Sequence, residues 1–332
     1  VRMRIDGTLF LTTEIPKNLH APLIARIKIL SGMDIGEKRR PQDGRILIKV
    51  GGKKMDIRVS TLPSIFGEKA VLRLLDQDNE HIGIEKLGFE HEQAETLRQV
   101  VTAPHGIILV TGPTGSGKST TLYSLLELIN RPEVNIITIE DPVEYTIPGV
   151  TQVQVNEKID VTFGSALRSI LRQDPDKLMV GEIRDQETAH LAVRVALTGH
   201  LVLSTLHTND APASINRLVD MGIPNFLIAS SMRCIVAQRL VRKLCPHCKR
   251  EMSVTGEMAS EIKIPEGSKI YAPVGCASCR FTGYSGRTVI GEIMVIDAAL
   301  RDMINNGRPQ HEIKEYAVNH GMETLRDIAR KK

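Results

Sequence analysis

Nine residues, Gly112-Pro113-Thr114-Gly115-Ser116-Gly117-Lys118-Ser119-Thr120, follow the apolar run Ile107–Val110 and match the pattern G-x-x-x-x-G-K-[ST]. Their chemistry is polyphosphate binding. Glycines let backbone N–H groups turn inward around a β-phosphate, Lys118 brings charge to the β and γ oxygens, and the Ser119 hydroxyl offers a ligand to Mg²⁺. Leu122, Leu125, Leu126 and Ile129 continue at helical spacing, so the loop lies between a buried strand and a helix N-terminus. This combination predicts binding of a nucleoside triphosphate.

Two carboxylates and two histidines stand at positions that suit such a ligand. Leu178-Met179-Val180-Gly181-Glu182 is an apolar strand ending in an acid, which beside a phosphate loop meets the Mg²⁺ shell or the attacking water. A second strand, Ile136–Ile139, runs into Glu140-Asp141-Pro142-Val143-Glu144. Three acids at one tip are costly unless a cation or ordered water compensates them, and Glu144 is the second candidate for activating water. Gly199–Thr208 places His200 and His207 at the two ends of a short strand. His207 is the better placed to register a γ-phosphate as a hydrogen-bond donor; His200 is carried as a further candidate. Arg58 and Arg73 lie on strand-like segments nearer the start of the chain.

Cys245-Pro246-His247-Cys248 and Cys276-Ala277-Ser278-Cys279 form two C-x-x-C pairs with 27 residues between them. Four thiolates presented by two such turns suit tetrahedral Zn²⁺, and a closed sphere makes the metal structural. His247 reads as a bystander and Cys234 as a buried helix thiol. Paired C-x-x-C without a secretion signal points to metal rather than disulfide and to a reducing cytoplasm.

The elements that must position these groups follow from periodicity. Val1–Phe10 alternates and turns at Asp6-Gly7, like a hairpin cut from a domain, so the chain reads as an excised fragment. A helix over 21–31 and strands over Arg45–Val50, Lys54–Thr61 and Lys69–Leu75 complete a small α/β domain at 1–80. Residues 81–92 read as a linker. Helices and strands then alternate through 93–240, which predicts a doubly wound, mainly parallel sheet with its ligand at the strands' carboxyl ends. A cysteine-bearing insertion spans 241–290 and a helical segment 291–332.

Together these boxes resemble the secretion and pilus-assembly ATPases, those of type II secretion and of type IV pilus extension. Gly112–Thr120 is similar to that family's Walker A box, Ile139–Tyr145 to its Asp box, Leu178–Asp185 to its atypical Walker B, and Gly199–Ala211 to its His box. Leu167–Asp176 and Gln238-Arg239-Leu240 are similar to it as well, and the tetracysteine insertion favours the secretion and extension branches over the retraction motors. The resemblance implies a RecA-like P-loop NTPase domain behind a small PAS-like α/β domain, the family's second N-terminal domain, on which Arg58 and Arg73 fall at phosphate-contacting positions. It implies ATP, Mg²⁺ and Zn²⁺ as cofactors and a homohexameric ring peripheral to the inner membrane on its cytoplasmic side. The partners it implies are a membrane platform protein and the cytoplasmic domain of a membrane-assembly protein, with N-terminal domains swinging as ATP turns over. The family's upstream docking domain and last helices lie outside this sequence.

Composition narrows the alternatives. The net charge is +4; residues 1–90 carry 16 basic and 12 acidic side chains, and the remainder balances at 27 each. With 3% aromatic residues and no Trp, that is a poor surface for nucleic acid. This argues against the first rival, a RecA-like nucleic-acid motor gripping through a zinc finger. The second rival, a nucleotide-gated adaptor without turnover, is separated by kinetics.

Overall fold

The computed structural model describes residues 1–76 and 83–332. By its internal contacts the chain divides into two units, Val1–His81 with Glu144–Thr146, and Ile82–Val143 with Ile147–Lys332.

In the first unit, β1 (Arg2–Ile5) and β2 (Thr8–Leu11) form an antiparallel hairpin turning at Asp6-Gly7. Helix α1 (His20–Leu30) precedes the antiparallel sheet β3 (Gln42–Val50), β4 (Lys53–Ser64) and β5 (Gly67–Asp76). Ile46, Ile57 and Val59 point to one face and pack with Met33 and Ile27, the alternation a one-sided sheet requires. The opposite face carries a ladder row in which Arg58 stands directly between Arg45 and Arg73.

The second unit opens with α2 (Ile84–Leu87) and α3 (His91–Val101). Part of the expected linker, 77–82, lies outside the described residues. The rest of it is ordered by burial of Ile84, Leu87 and Phe89, and a reciprocal Glu90–Gln93 capping box starts α3.

Strands β6 (Gly106–Thr111), β7 (Ile136–Glu140), β8 (Thr151–Gln154), β9 (Lys177–Val180), β10 (Leu201–Leu206), β11 (Met232–Leu244) and β14 (Tyr284–Val295) form the main sheet. Its order is β14-β11-β6-β10-β9-β7-β8, parallel throughout except at the β11–β14 edge. Between them run α4 (Lys118–Ile129), α5 (Phe163–Ile170), α6 (Gln186–Leu197), α7 (Ala213–Asp220) and α8 (Asn225–Ser231). The central strands β6 and β10 are buried along their whole length, which is why they read as continuous apolar runs. The mixed α/β class with a mainly parallel sheet is thus as expected.

The short β12 (Arg250–Ser253), α9 (Gly256–Ile262) and β13 (Lys269–Ala272) lie in the excursion between β11 and β14 that bears the cysteines. Beyond β14 the chain is helical: α10 (Ala298–Asn305), α11 (Gln310–Asn319) and α12 (Leu325–Lys331).

One expectation needs correction. Cys234 lies in strand β11, not in a helix, fully buried, and burial pushes its thiol up to about 12. The β-branched pair Ile235-Val236 beside it favours the extended backbone.

Candidate nucleotide site and four-cysteine centre

Register decides what meets at the carboxyl edge of the sheet. Thr111 pairs with Leu206 and Val180 with Ser204, so the residues after β6, β9 and β10 emerge side by side. Those residues are the glycine-rich loop, Gly181-Glu182, and His207.

The loop needs its glycines for conformation. Gly112, Gly115 and Gly117 have φ of +150°, +80° and +88°, values that side chains disfavour. A Cβ at Gly112 would stand 2.5 Å from the Gln238 carbonyl, whereas one at Gly115 would meet nothing within 4 Å, so the loop's tip faces open space. Lys118 Nζ donates to the carbonyls of Gly112 (2.9 Å) and Pro113 (3.2 Å). Burial lowers the Lys118 pKa, with Glu182 opposing and Arg239 adding to the effect. The Ser116 hydroxyl is buried and without a hydrogen-bond partner among the described residues. An ammonium resting on its own loop and an orphaned hydroxyl fit a phosphate group. Ser119, next in the chain, is the residue that would hold Mg²⁺, whose charge then neutralises the phosphate oxygens.

Glu182 is 16% exposed and ion-pairs Arg184, while His207 Nε2 lies 3.8 Å from its other oxygen. Thr205 Oγ1 donates to Gly181 O (2.8 Å) and Ile183 N to Thr205 O (3.0 Å), which fixes the backbone on both sides of Glu182. A Cβ at position 181 would approach Ile139 O at 3.2 Å, so this crowded spot favours glycine. His207 is held below its ordinary pKa, first by burial, then by the Lys118 charge, with Glu182 opposing and Arg184 adding. The shift favours the neutral imidazole on a side chain that is half exposed.

The remaining candidates are dispersed. His200 stands before β10, at the opposite end of the strand from His207, roughly 20 Å away at strand rise. Its Nδ1 faces Val195 O at 3.2 Å. Within this chain it does not join Lys118, Glu182 and His207, because the two ends of one strand reach opposite edges of the sheet. Glu144 groups with the first unit, its carboxylate 3.2 Å from Arg58 Nη1. Arg73 has no ion pair among the described residues. Glu140 is 4% exposed and accepts from Tyr123 OH, Thr138 Oγ1 (2.6 Å) and Gln152 Nε2 (3.1 Å), so three side-chain donors meet this acid.

Three positioning contacts were not legible as such. Gln238, quoted above only for likeness, donates to Ser116 O (2.8 Å) and accepts from Thr121 Oγ1 (2.9 Å), clamping the loop to α4. Thr111 and Thr208 bond each other at 2.7 Å and tie the His207 loop to β6. The buried Glu292 accepts from Ala211 N and Leu325 N, and burial raises its pKa. The common signal is a polar residue inside an apolar strand, which must find a partner.

The four cysteine sulfurs all lie within 4.8 Å of one another and are able to hold a metal ion. Adjacent pairs are 3.7, 3.8 and 3.9 Å apart. Tetrahedral Zn–S bonds of about 2.3 Å require sulfurs about 3.8 Å apart. Burial opposes the Cys279 thiolate, but the N–H groups of Cys276 and Gly283 donate to its sulfur, and its pKa falls to about 6.

A family model for type II/IV secretion system proteins matches residues 1–332. The chain belongs to that family. Among relatives of this type II/IV secretion family member, type II secretion system protein HxcR of Pseudomonas aeruginosa is 51% identical over 327 residues, covering 98% of this chain and 66% of the relative. Type IV pilus assembly ATPase PilB of Myxococcus xanthus is 48% identical over 332 residues, covering 98% and 59%. The chain therefore spans less than two thirds of the length of these relatives. Among solved structures, the pilus retraction motor PilT with bound ADP superposes with a TM-score of 0.66 at 28% identity, covering 100% of this chain and 90% of that one.

Proposed function

We propose that this chain is the motor core of a cytoplasmic ATPase that drives assembly of pilin or pseudopilin fibres in type II secretion or type IV pilus biogenesis. The observation that carries the reading is the convergence of Lys118, Glu182 and His207 at one sheet edge beside a glycine loop. Gly112–Thr120 cradles the phosphates, Lys118 leaves its loop carbonyls for the β and γ oxygens, and Ser119 holds Mg²⁺. Glu182 orients and polarises water for in-line attack on the γ-phosphorus; Arg184 and His207 hold that carboxylate in position. His207 donates to the γ-phosphate and so reports its presence. The family resemblance supports roles in the same reaction for Glu144, as a second carboxylate, and for Arg58 and Arg73, as phosphate contacts. Zn²⁺ occupies the Cys245, Cys248, Cys276 and Cys279 centre.

Relatives named as secretion and pilus-assembly proteins support the assignment of the work done. We further propose a homohexamer that works with a membrane platform protein and the cytoplasmic domain of a membrane-assembly protein, peripheral at the inner membrane. Among the described residues no helix is long and apolar enough to cross a membrane.

Steady-state phosphate release separates this reading from a nucleotide-gated adaptor. Glu182→Gln should lose roughly a hundredfold or more in rate while fluorescent ATP analogue still binds within a few-fold. Equal rates in wild type and variant would refute the catalytic assignment.

A further inference from the structure

We infer that Asp210 and Lys314 form a positioning pair through which helix α11 sets the aim of His207, so that the C-terminal helices are coupled to the state of the nucleotide. The inference rests on the phosphate-sensing role proposed for His207. The imidazole is 51% exposed, and its one ion-pair neighbour among the described residues is Glu182, at 3.8 Å. Its direction is therefore set by the backbone that follows β10. Each of the next four residues is held by a different element. Thr208 N donates to Thr111 Oγ1 of β6 (2.9 Å). Asn209 O accepts from Arg239 Nη2 of β11 (2.9 Å). Asp210 Oδ2 accepts from Lys314 Nζ of α11 (2.9 Å), and Ala211 N donates to Glu292 of β14 (2.9 Å).

The contact at Asp210 exceeds what the local fold needs. Its Oδ1 accepts from Ala213 N (2.9 Å), which fastens the start of α7. Oδ2 is left to meet a residue 104 positions away. Gln310, one turn before Lys314, also donates to Oδ1 (3.2 Å), so one face of α11 grips one carboxylate. Asp210 stands three residues from His207, at most about 11 Å along the chain. Glu292 extends the connection to α12: it is 1% exposed, and its other oxygen accepts from Leu325 N at 3.3 Å. The hydrogen bond from Asp210 raises the Lys314 pKa; burial raises that of Glu292, and the Lys314 charge works against that rise. Coupling of this kind is reciprocal, so a γ-phosphate that moves His207 must bear on the Asp210–Lys314 pair with the same free energy.

The test has one arm without nucleotide and one with it. In the nucleotide-free chain, Lys314→Met should speed hydrogen exchange across 207–213 while the β6 amides stay protected. Lys314→Arg, which keeps a donor for Asp210, should restore the protection. Unchanged exchange at 207–213 in Lys314→Met would overturn the inference and leave the nucleotide reading standing. In the second arm, the affinity for a non-hydrolysable ATP analogue relative to ADP should fall about fivefold in Lys314→Met, the scale of one lost hydrogen bond, with ADP affinity itself nearly constant. Equal weakening of both ligands would mark a merely structural contact and overturn the inference. Added to His207→Gln, the Lys314→Met change should do nothing further to that ratio; an undiminished effect there overturns the inference as well. Should His207→Gln alone leave the ratio at its wild-type value, the phosphate-sensing reading fails and the inference falls with it.

Discussion

The nucleotide loop and the four-cysteine centre are both polar constellations held by tight turns, yet they are prepared in opposite ways. At the loop, groups suited to a ligand rest on provisional partners: Lys118 on two carbonyls of its own loop, Ser116 on none. At the knuckles, sulfurs already stand at tetrahedral spacing and backbone N–H groups already point at them. Exchange needs the first arrangement, since a ligand that leaves at every turnover must have substitutes ready. Permanence needs the second, since a structural metal gains most when nothing moves to receive it.

The largest effect that would break this contrast comes from the proposed metal. Stripping zinc, or Cys276→Ser, should melt the knuckle, because binding energies of roughly 10 kcal/mol or more underlie such folds. Hydrogen exchange should accelerate across 245–283 while the β6 amides stay protected. If β6 loosened equally, the two regions would be one cooperative unit and the contrast would fail.

A smaller effect should come from the clamp. Gln238→Leu leaves the Ser116 carbonyl and the Thr121 hydroxyl without their buried partner, at about 1–3 kcal/mol for an unsatisfied group. We expect a lower Tm and an analogue affinity weakened about tenfold, with Gln238→Glu recovering part of neither the Ser116 bond nor the affinity, since a carboxylate cannot donate to a carbonyl. An unchanged affinity in Gln238→Leu would show that the loop keeps its shape without the clamp.

Gln238 also shows where sequence reading stops. The glycine loop, the C-x-x-C pairs and the buried parallel strands were legible because each is a local pattern whose spacing implies its geometry. Helix α2 is hidden in the expected linker because Ile84, Leu87 and Phe89 are apolar only in isolated positions. Strand β8 is not legible because Thr151–Gln154 is a short, largely polar edge paired with β7. His200 and His207 look equivalent in sequence, and strand direction alone separates them. Glu140 and Glu182 end neighbouring strands; only tertiary donors from Tyr123 and Gln152 distinguish the saturated acid from the one shared by Arg184 and His207.

The smallest effect concerns protons. His207 sits below its ordinary 6.5 because burial and the Lys118 charge disfavour imidazolium. Between that lowered value and 6.5 the unfolded chain binds more protons than the native one, so stability rises with pH through this window. The contribution is complete above about 6.5 and drains away as pH falls. Urea midpoints from about pH 5 to 7.5 should therefore slope more steeply in wild type than in His207→Gln. A γ-phosphate beside the ring would reverse the balance, favouring the protonated form and drawing the His207 pKa upward. Histidine titration by NMR should then move up with a non-hydrolysable ATP analogue and far less with ADP. A titration identical in the two complexes would remove His207 from phosphate sensing and leave it as a partner of Glu182 alone.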